Sequence, residues 1–261
     1  MIVFPNAKIN IGLNVIEKRP DGFHNIESCF IPVPWYDALE VIESSEVSFN
    51  STGLEIPGSS NICIDAYQLL KKDFKLPPIS IHLHKNIPIG AGLGGGSADG
   101  AFMLKLLNDK FSLSLSTSQL QDYASKLGSD CPFFIDNKPS YVEGTGNIFS
   151  PISLDLQGLY IAIIYPEIHV DTVTAYKTIT PVRPSENLYN ILENNPIETW
   201  RNDVINGFEK SARDEILQLK DHLYDQGALY ASMTGSGSAV FGLFKSVQEI
   251  ESENPNVFAL L

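Results

Sequence analysis

Apolar residues occupy every second position of the segment 9–15, INIGLNV, and the positions between them hold asparagine or glycine. A period of two predicts a β-strand with one buried face. The next segment, 19–22 (RPDG), combines proline with a glycine that accepts positive φ, and an extended pattern resumes at 23–33. The sequence therefore predicts a β-hairpin near the start of the chain.

The rest of the chain alternates between strand-like and helix-like patterns. Further strands are predicted at 39–42, 47–50, 79–84, 159–165 and 239–244, and helices at 61–74, 98–107, 118–127, 188–192, 204–208 and 212–223. Ser118 and Gln121 form a candidate capping box for the third helix. Because the β-α-β order is irregular, the pattern favours an α+β fold with two lobes over a doubly wound sheet. We place the boundary near residue 150, which gives domains at 1–150 and 151–261.

The strongest chemical signal is the segment 88–98, PIGAGLGGGSA, in which five of the seven residues from 90 to 96 are glycine. A glycine-rich turn before a helix presents unpaired N–H groups and the positive end of the helix dipole, which suit a phosphate. The alternative is a flexible surface loop, but such loops are uncommon between a strand and an apolar helix. A Walker A loop is excluded because Gly96 precedes Ser97 where lysine is required. A Rossmann site is disfavoured because no acidic residue follows at the spacing that holds a ribose.

Other candidates are weaker when taken singly. Lys8 shares the polar face of the first strand, where it could equally be a solvated edge residue. Asp130 lies where a predicted helix turns into an apolar run, a position that also suits a capping residue. A second glycine-rich segment, 233–241 (MTGSGSAVF), is a tight turn or a cover for phosphates. His82 and His84 form an HxH pair without a third ligand nearby in sequence, so metal binding there is disfavoured.

Charge and composition argue against some classes of binding partner. The 18 Lys and Arg against 31 Asp and Glu give a net charge of −13, and the absence of a basic cluster argues against nucleic acid. The start of the chain has no signal-peptide pattern, and the longest apolar run is too short to cross a membrane. The three cysteines are far apart and form no CxxC motif. We expect a cytoplasmic protein without a membrane partner, either a monomer or a weak homodimer.

Taken together, three motifs in this order resemble the GHMP kinase superfamily of small-molecule kinases. They are the first strand with Lys8, the segment 88–98, and the segment 233–241. Longer segments, AKINIGLNVIEKRPDGFHNIES, KNIPIGAGLGGGSADGA and KLGSDCPFF, resemble the branch of the superfamily that acts on a cytidine diphosphate derivative of methylerythritol. The resemblance implies an N-terminal ATP-binding lobe and a C-terminal lobe with the active site between them.

The resemblance also implies an activity. It is the ATP-dependent phosphorylation of the 2-hydroxyl of cytidine diphosphate methylerythritol, in the non-mevalonate route to isoprenoids. Asp130 would accept the hydroxyl proton and Lys8 would lie beside it. ATP and Mg²⁺ are the implied cofactors, and Ser97 is the candidate metal ligand. The residues implied for ATP are Asn61, Lys85, Pro88, Ile89, Gly90, Ala91, Gly92, Leu93, Gly94, Gly95, Gly96, Ser97 and Ala98. Those implied for the acceptor are Asn10, Phe23, His24, Thr172, Tyr176, Gly235 and Ser236.

Two alternatives remain open from the sequence. The chain could be another GHMP kinase, acting on homoserine or a mevalonate derivative, or a catalytically silent nucleotide-binding protein of the same fold. Three departures from the family pattern are visible. Phe23 stands where tyrosine is usual, Gly100 interrupts the start of a helix, and Asn206-Gly207-Phe208-Glu209 only approximates an Asn-Asp-Phe-Glu segment.

Overall fold

The computed structural model describes residues 1–58, 60–247 and 255–260. Its strands are β1 (Ile2–Val3), β2 (Asn6–Lys18), β3 (His24–Tyr36), β4 (Ala38–Glu43), β5 (Ser48–Gly53), β6 (Ile79–Lys85), β7 (Ser140–Glu143), β8 (Ile148–Pro151), β9 (Tyr160–Ile164), β10 (Tyr230–Met233), β11 (Val240–Phe244) and β12 (Pro255–Ala259). Its helices are α1 (Ile62–Lys71), α2 (Gly95–Lys110), α3 (Thr117–Ser125), α4 (Phe133–Asp136), α5 (Thr172–Thr178), α6 (Leu188–Asn194), α7 (Trp200–Asp203) and α8 (Asp214–Asp225). Short 3₁₀ helices cover Ile197–Thr199 and Gly207–Ser211. The mixture of sheets and helices confirms the predicted α+β class.

The chain forms two compact units that interleave along the sequence. The first unit comprises Met1–Ala7, Trp35–Ile89 and Gly94–Lys138. It holds a sheet with the strand order β1-β4-β6-β5, in which β5 and β6 are parallel and connected through α1. The alternating pattern of β6 buries Ile79, Ile81 and Leu83, as the sequence predicts.

The helices of the first unit explain one departure from the family pattern. A Cβ atom on Gly100 of α2 would lie 2.8 Å from Ile62 Cγ1 at the start of α1. Glycine costs a helix roughly 1 kcal/mol relative to alanine, and here it permits α1 and α2 to approach closely.

The second unit comprises Lys8–Pro34, Gly90–Leu93 and the described part of Pro139–Leu261. It holds two antiparallel sheets with the orders β2-β3-β7-β8 and β10-β11-β9-β12. Its core includes Leu13 and Ile26 from the first of these sheets, Ala162 and Val240 from the second, and Leu223 from α8. The glycine-rich segment therefore contributes Gly90–Leu93 to this unit and its remaining glycines to the first unit.

Some local predictions are wrong, each for an identifiable reason. The capping box is made by Ser116 and Gln119, two residues before the predicted pair. Residues 204–206 are not helical, because Leu13 N donates to Ile205 O and draws this segment against β2. A further strand, β12, follows the segment predicted to be last and pairs with β9. No helix in the described ranges is long and apolar enough to cross a membrane.

Candidate active site

The N-terminus of α2 lies inside the glycine-rich segment. The helix begins at Gly95, and its N-cap is Gly94 at φ 70°, a left-handed conformation that favours glycine. Ser97 therefore lies in the first turn of α2 and does not cap the helix. Gly96 is exposed, and a Cβ atom there would meet no atom of the described residues within 4 Å. This open first turn presents N–H groups without intrahelical partners, which is the geometry that binds anions.

The first part of the glycine-rich segment packs against the second glycine motif by direct backbone contact. A Cβ atom on Gly92, at φ 81°, would lie 2.1 Å from Thr234 O. Thr234 Oγ1 donates to Gly92 O at 3.1 Å, and the N–H of Ala239 donates to Ala91 O at 3.1 Å. The two glycine motifs, about 140 residues apart in sequence, are thus neighbours in the second unit.

Lys8 and the first strand join the same assembly. The backbone N–H of Lys8 donates to Leu93 O at 2.9 Å. Its side chain is buried, and Nζ donates to Asn10 Oδ1 at 2.6 Å and lies 4.6 Å from the centre of the Phe30 ring. The same Asn10 Oδ1 accepts from Gly235 N at 3.0 Å. Asn10, for which the family resemblance implies a contact with the acceptor, therefore links Lys8 directly to the second glycine motif.

Two residues without a predicted role hold the second glycine motif from the other side. Asn206 Nδ2 donates to Met233 O and Gly235 O, both at 2.8 Å. Glu209 Oε1 accepts from Met233 N at 2.9 Å, and its Oε2 pairs with Lys220 at 2.6 Å. In the sequence, the segment 206–209 is distinguished only by its approximate match to the family pattern. Nothing in that pattern predicts its hydrogen bonds to Met233 and Gly235.

Several of the predicted acceptor residues lie next to one another in the second unit. The His24 and Tyr176 rings have centroids 5.3 Å apart. Thr172 lies one helical turn before Tyr176 on α5, and its hydroxyl forms a 2.9 Å hydrogen bond with Ser236 Oγ. Burial, together with Lys18, lowers the pKa of His24, which favours the neutral form of the ring. A neutral imidazole offers one donor and one acceptor.

Phe23 projects from the predicted hairpin turn. Its side chain is 64% exposed, and its N–H donates to Asp21 Oδ1 at 3.1 Å. Gly22 adopts φ 89°, and Arg19 pairs with Asp21 at 2.8 Å. This turn leaves one face of the Phe23 ring open to solvent at the edge of β3.

Asp130 lies in the first unit, half-buried in the connection between α3 and α4. The next residue, Cys131, is buried, and the Ser97 side chain is close enough to influence its thiol. The pKa of the Cys131 thiol is raised to about 12, mainly by burial; Asp130 contributes to the increase and the Ser97 side chain opposes it. The structure therefore brings Asp130 and Ser97 to the same side of the first unit.

Lys85 and Asn61 also lie in the first unit, with partners that the sequence did not indicate. Lys85 is buried, and its Nζ pairs with Asp37 and, at 2.7 Å, with Asp99. Burial lowers the pKa of Lys85, but the two carboxylates outweigh it and the net shift is upward. Asn61 caps α1 by accepting from Cys63 N at 2.9 Å, so its amide N–H₂ remains to donate elsewhere. A contact of either residue with ATP stays a prediction.

The described residues contain no group of three or more His, Cys, Asp or Glu side chains that could hold a metal ion. His82 and His84 instead approach Thr52 Oγ1 on β5, each at 3.0 Å. Magnesium in nucleotide sites is usually held by substrate phosphates, waters and one or two protein oxygens. The single hydroxyl of Ser97 fits this kind of site and does not fit an all-protein cage.

Comparison with known proteins identifies the family to which this chain is similar. The model of the GHMP kinases N terminal domain matches residues 61–138, and that of the GHMP kinases C terminal domain matches 200–259. A 4-diphosphocytidyl-2-C-methyl-D-erythritol kinase of Bacteroides fragilis is 51% identical over 96% of this chain and 94% of its own length. The enzyme of that name from Cytophaga hutchinsonii is 49% identical over 97% of this chain and 96% of its own length.

Solved structures agree with the sequence relatives. A crystal structure of 4-(cytidine 5'-diphospho)-2C-methyl-D-erythritol kinase is 28% identical, with a TM-score of 0.77 over 93% of this chain and 90% of that one. The Methanococcus jannaschii mevalonate kinase has a TM-score of 0.73 over 99% of this chain and 96% of its own, at 14% identity, and shares the fold alone. The predicted family resemblance is confirmed: the chain belongs to the 4-diphosphocytidyl-2-C-methyl-D-erythritol kinases of the GHMP kinase family.

Proposed function

We propose that this protein transfers the γ-phosphoryl group of ATP to the 2-hydroxyl of 4-diphosphocytidyl-2-C-methyl-D-erythritol. The observation that carries the proposal is that Lys8 and the two glycine motifs, at Gly92 and Gly235, contact one another within one unit. The chain is also 51% identical to a kinase that is named for this substrate. In the non-mevalonate pathway this step would supply the precursor of isoprenoids.

The acceptor assignment is supported by the ring contact of His24 with Tyr176. A cytosine base presents a flat apolar face and a polar edge, so it is recognised by stacking together with hydrogen bonds. Tyr176, with Phe23 at the hairpin turn, would supply the stacking faces, and neutral His24 would bond to the base edge. Thr172, Gly235, Ser236 and Asn10 would contact the remainder of the cytidine diphosphate group.

The phosphate assignment is supported by the open first turn of α2. Phosphoryl transfer depends mainly on positioning and on neutralising charge on the phosphoryl oxygens. The N–H groups of Gly95, Gly96 and Ser97 would hold ATP phosphates, and Asn61 would lie near the adenosine. Mg²⁺ would neutralise phosphate charge, with the Ser97 hydroxyl as its candidate protein ligand.

The proton assignment concerns Asp130 and Lys8. A carboxylate within reach of the hydroxyl accepts its proton as the phosphoryl group is transferred. Asp130, half-buried and next to the Ser97–Cys131 pair, is the candidate for this role. Lys8 would stabilise the developing negative charge on the acceptor oxygen, with its Nζ oriented by Asn10.

The experiment is to incubate the protein with Mg-ATP and each of three alcohols, and to follow ADP release. The alcohols are 4-diphosphocytidyl-2-C-methyl-D-erythritol, homoserine and mevalonate. Release with the first alone, inhibited by free cytidine diphosphate, supports the proposal. Release with another alcohol alone would refute the acceptor assignment, and ATP binding without release would favour a silent binder.

Two variants then test the proton assignment. We expect Asp130→Asn to lower kcat by roughly 10²–10⁴-fold, the usual contribution of general base catalysis, while Mg-ATP binds as before. Asp122→Asn, an exposed aspartate on α3, is the matched control and should leave kcat unchanged. Near-normal turnover by Asp130→Asn would remove Asp130 from the reaction.

A further inference from the structure

The first unit contains a buried cluster of two carboxylates and one ammonium group, formed by Asp37, Lys85 and Asp99. The three side chains are almost inaccessible, at 0%, 2% and 3% exposure respectively. Lys85 Nζ contacts an oxygen of each carboxylate. Asp99 Oδ1 is buried and has no hydrogen-bond partner in the described part of the chain.

The cluster holds two acidic groups for one ammonium group, an imbalance that fold stability does not account for. Buried ion pairs recover their desolvation cost only with excellent geometry and full hydrogen bonding, and apolar replacements are often as stable or more so. Here two carboxylates share one ammonium group, and one carboxylate oxygen is left without a partner. A structural role alone would be filled at lower cost by one carboxylate or by apolar side chains.

The cluster connects three backbone segments around the glycine loop. Asp37 precedes β4, and its Oδ1 accepts from Asn86 N at 2.6 Å and Ile87 N at 2.8 Å, just before the loop. Lys85 ends β6, and Asp99 lies in α2 one turn after Gly95. The ion pairs of Lys85 therefore tie the end of β6 to the start of α2 through Asp99 and to the start of β4 through Asp37.

Gly95 lies directly against the ammonium group. A Cβ atom on Gly95 would lie 3.0 Å from Lys85 Nζ and 2.9 Å from Ile87 Cγ2. The first turn of α2 therefore rests on Lys85, and the position of Nζ determines how closely that turn approaches β6. The N–H groups of this turn are those proposed above to bind phosphate.

We infer that Lys85 and Asp99 are positioning residues for ATP, which hold the first turn of α2 in place, and that Lys85 Nζ does not bind the phosphates itself. The inference rests on the proposed function, because it concerns how the same loop holds ATP. It differs from the prediction made from the resemblance, in which Lys85 was a direct ATP ligand.

The variant Asp99→Ala separates these two roles because they predict opposite signs. A positioning role predicts that the dissociation constant of Mg-ATP rises about tenfold, since the α2 turn loses its connection to Lys85. A direct role predicts equal or tighter binding, since Lys85 is released and a nearby negative charge is removed. Asp109→Ala, the same change at an exposed position near the other end of α2, is the control and should leave ATP affinity unchanged.

Affinities are measured by calorimetry with Mg-ATP alone, so an incorrect choice of acceptor cannot alter the result. A kinetic readout completes the test: Asp99→Ala should raise KM for ATP while KM for the acceptor stays within twofold. A purely structural role would lower the unfolding temperature without this selectivity. Equal changes in both KM values would therefore overturn the inference.

Two further variants protect the test against a folding defect. Asp99→Asn keeps an oxygen that accepts from Lys85 Nζ, so we expect its ATP affinity within about threefold of the wild type. In the Asp99→Ala background, Lys85→Met should change the affinity by less than threefold, because the connection is already lost. A further tenfold loss in that double variant, at the unfolding temperature of Asp99→Ala alone, would show that Lys85 contacts ATP directly and would overturn the inference.

Discussion

The contact between the two glycine motifs can be tested by adding a single methyl group at Gly92. Gly92→Ala would place Cβ 2.1 Å from Thr234 O, at a residue with φ 81°. Two separate costs arise, because alanine disfavours this left-handed conformation and because the two backbones must move apart. Two other glycines of the same chain allow these costs to be measured separately.

The magnitude follows from the geometry. The left-handed conformation costs a non-glycine residue about 1–2 kcal/mol. Relieving a 2.1 Å contact requires a displacement of roughly 1 Å, and such overpacking typically costs about 1–3 kcal/mol. The displacement also strains the hydrogen bonds from Thr234 Oγ1 to Gly92 O and from Gly235 N to Asn10 Oδ1, each worth about 1 kcal/mol. We expect Gly92→Ala to lower the free energy of unfolding by at least ~3 kcal/mol.

The assay is thermal and urea unfolding of three alanine variants. Gly22→Ala has φ 89°, but within the described part of the chain no atom lies within 4 Å of the new Cβ, so it should cost only about 1–2 kcal/mol. Gly96→Ala lies in the first turn of α2 with open space around Cβ, and should be neutral or stabilising by up to about 1 kcal/mol. At about 2–4 °C per kcal/mol for a chain of this size, the three unfolding temperatures are separable. A cost for Gly92→Ala no greater than that for Gly22→Ala would refute the contact.

Three other predictions follow from single side chains. Burial raises the pKa of Asp99 to about 7 from 3.8 despite the attraction of Lys85, so between these values the native state binds more protons than the unfolded state and stability falls as pH rises. Asp99→Asn removes this pH dependence of stability. The unfolding temperature of the variant minus that of the wild type should therefore increase from pH 5 to pH 8, and a constant difference would contradict the raised pKa of Asp99. Phe23→Tyr keeps the exposed ring and adds a hydroxyl, so KM for the acceptor should change less than about tenfold with kcat unaltered, and a collapse of kcat would refute a role in stacking alone. Glu209→Ala should lower the free energy of unfolding by about 3 kcal/mol and Glu209→Gln by about 1 kcal/mol, because glutamine keeps an acceptor for Met233 N; equal losses in urea unfolding would contradict this.

The sequence predicts the elements of the fold well where a repeating pattern marks a buried face. The strand at 79–84 and the hairpin around Gly22 are found where the alternation and the turn residues place them. The capping box is displaced by two residues because Ser116 and Ser118 are both suitable caps, and only the hydrogen bonds of Gln119 distinguish them. The strand β12 has little periodicity, and its pairing with β9 is a long-range contact.

The sequence predicts which residues belong to the candidate site, but it does not predict their contacts with residues that are distant in the chain. The sequence marks Gly92 and Gly235 as glycines, but not that Gly92 is required by the close approach of Thr234 O or that Gly235 packs on the backbone of Gly92. It marks Lys85 as a cation near a phosphate loop, but Asp37 lies 48 positions earlier and nothing local indicates the ion pair. A charged residue near a ligand-binding motif is therefore predicted to bind the ligand, because its buried ion-pair partners come from distant parts of the sequence.

These contacts change how a chain with net charge −13 would attract an anionic substrate. The lysine that lies against the start of α2, Lys85, is buried and shared by two acidic side chains. Attraction of phosphate in the first unit therefore falls mainly to backbone N–H groups at the start of α2, whose dipole does not depend on a free side-chain cation. Backbone donors act only at short range and with correct orientation, so affinity depends on what fixes their position. On this reasoning the buried charges around the loop serve geometry, and substitutions that preserve geometry while removing charge should be tolerated better than the reverse.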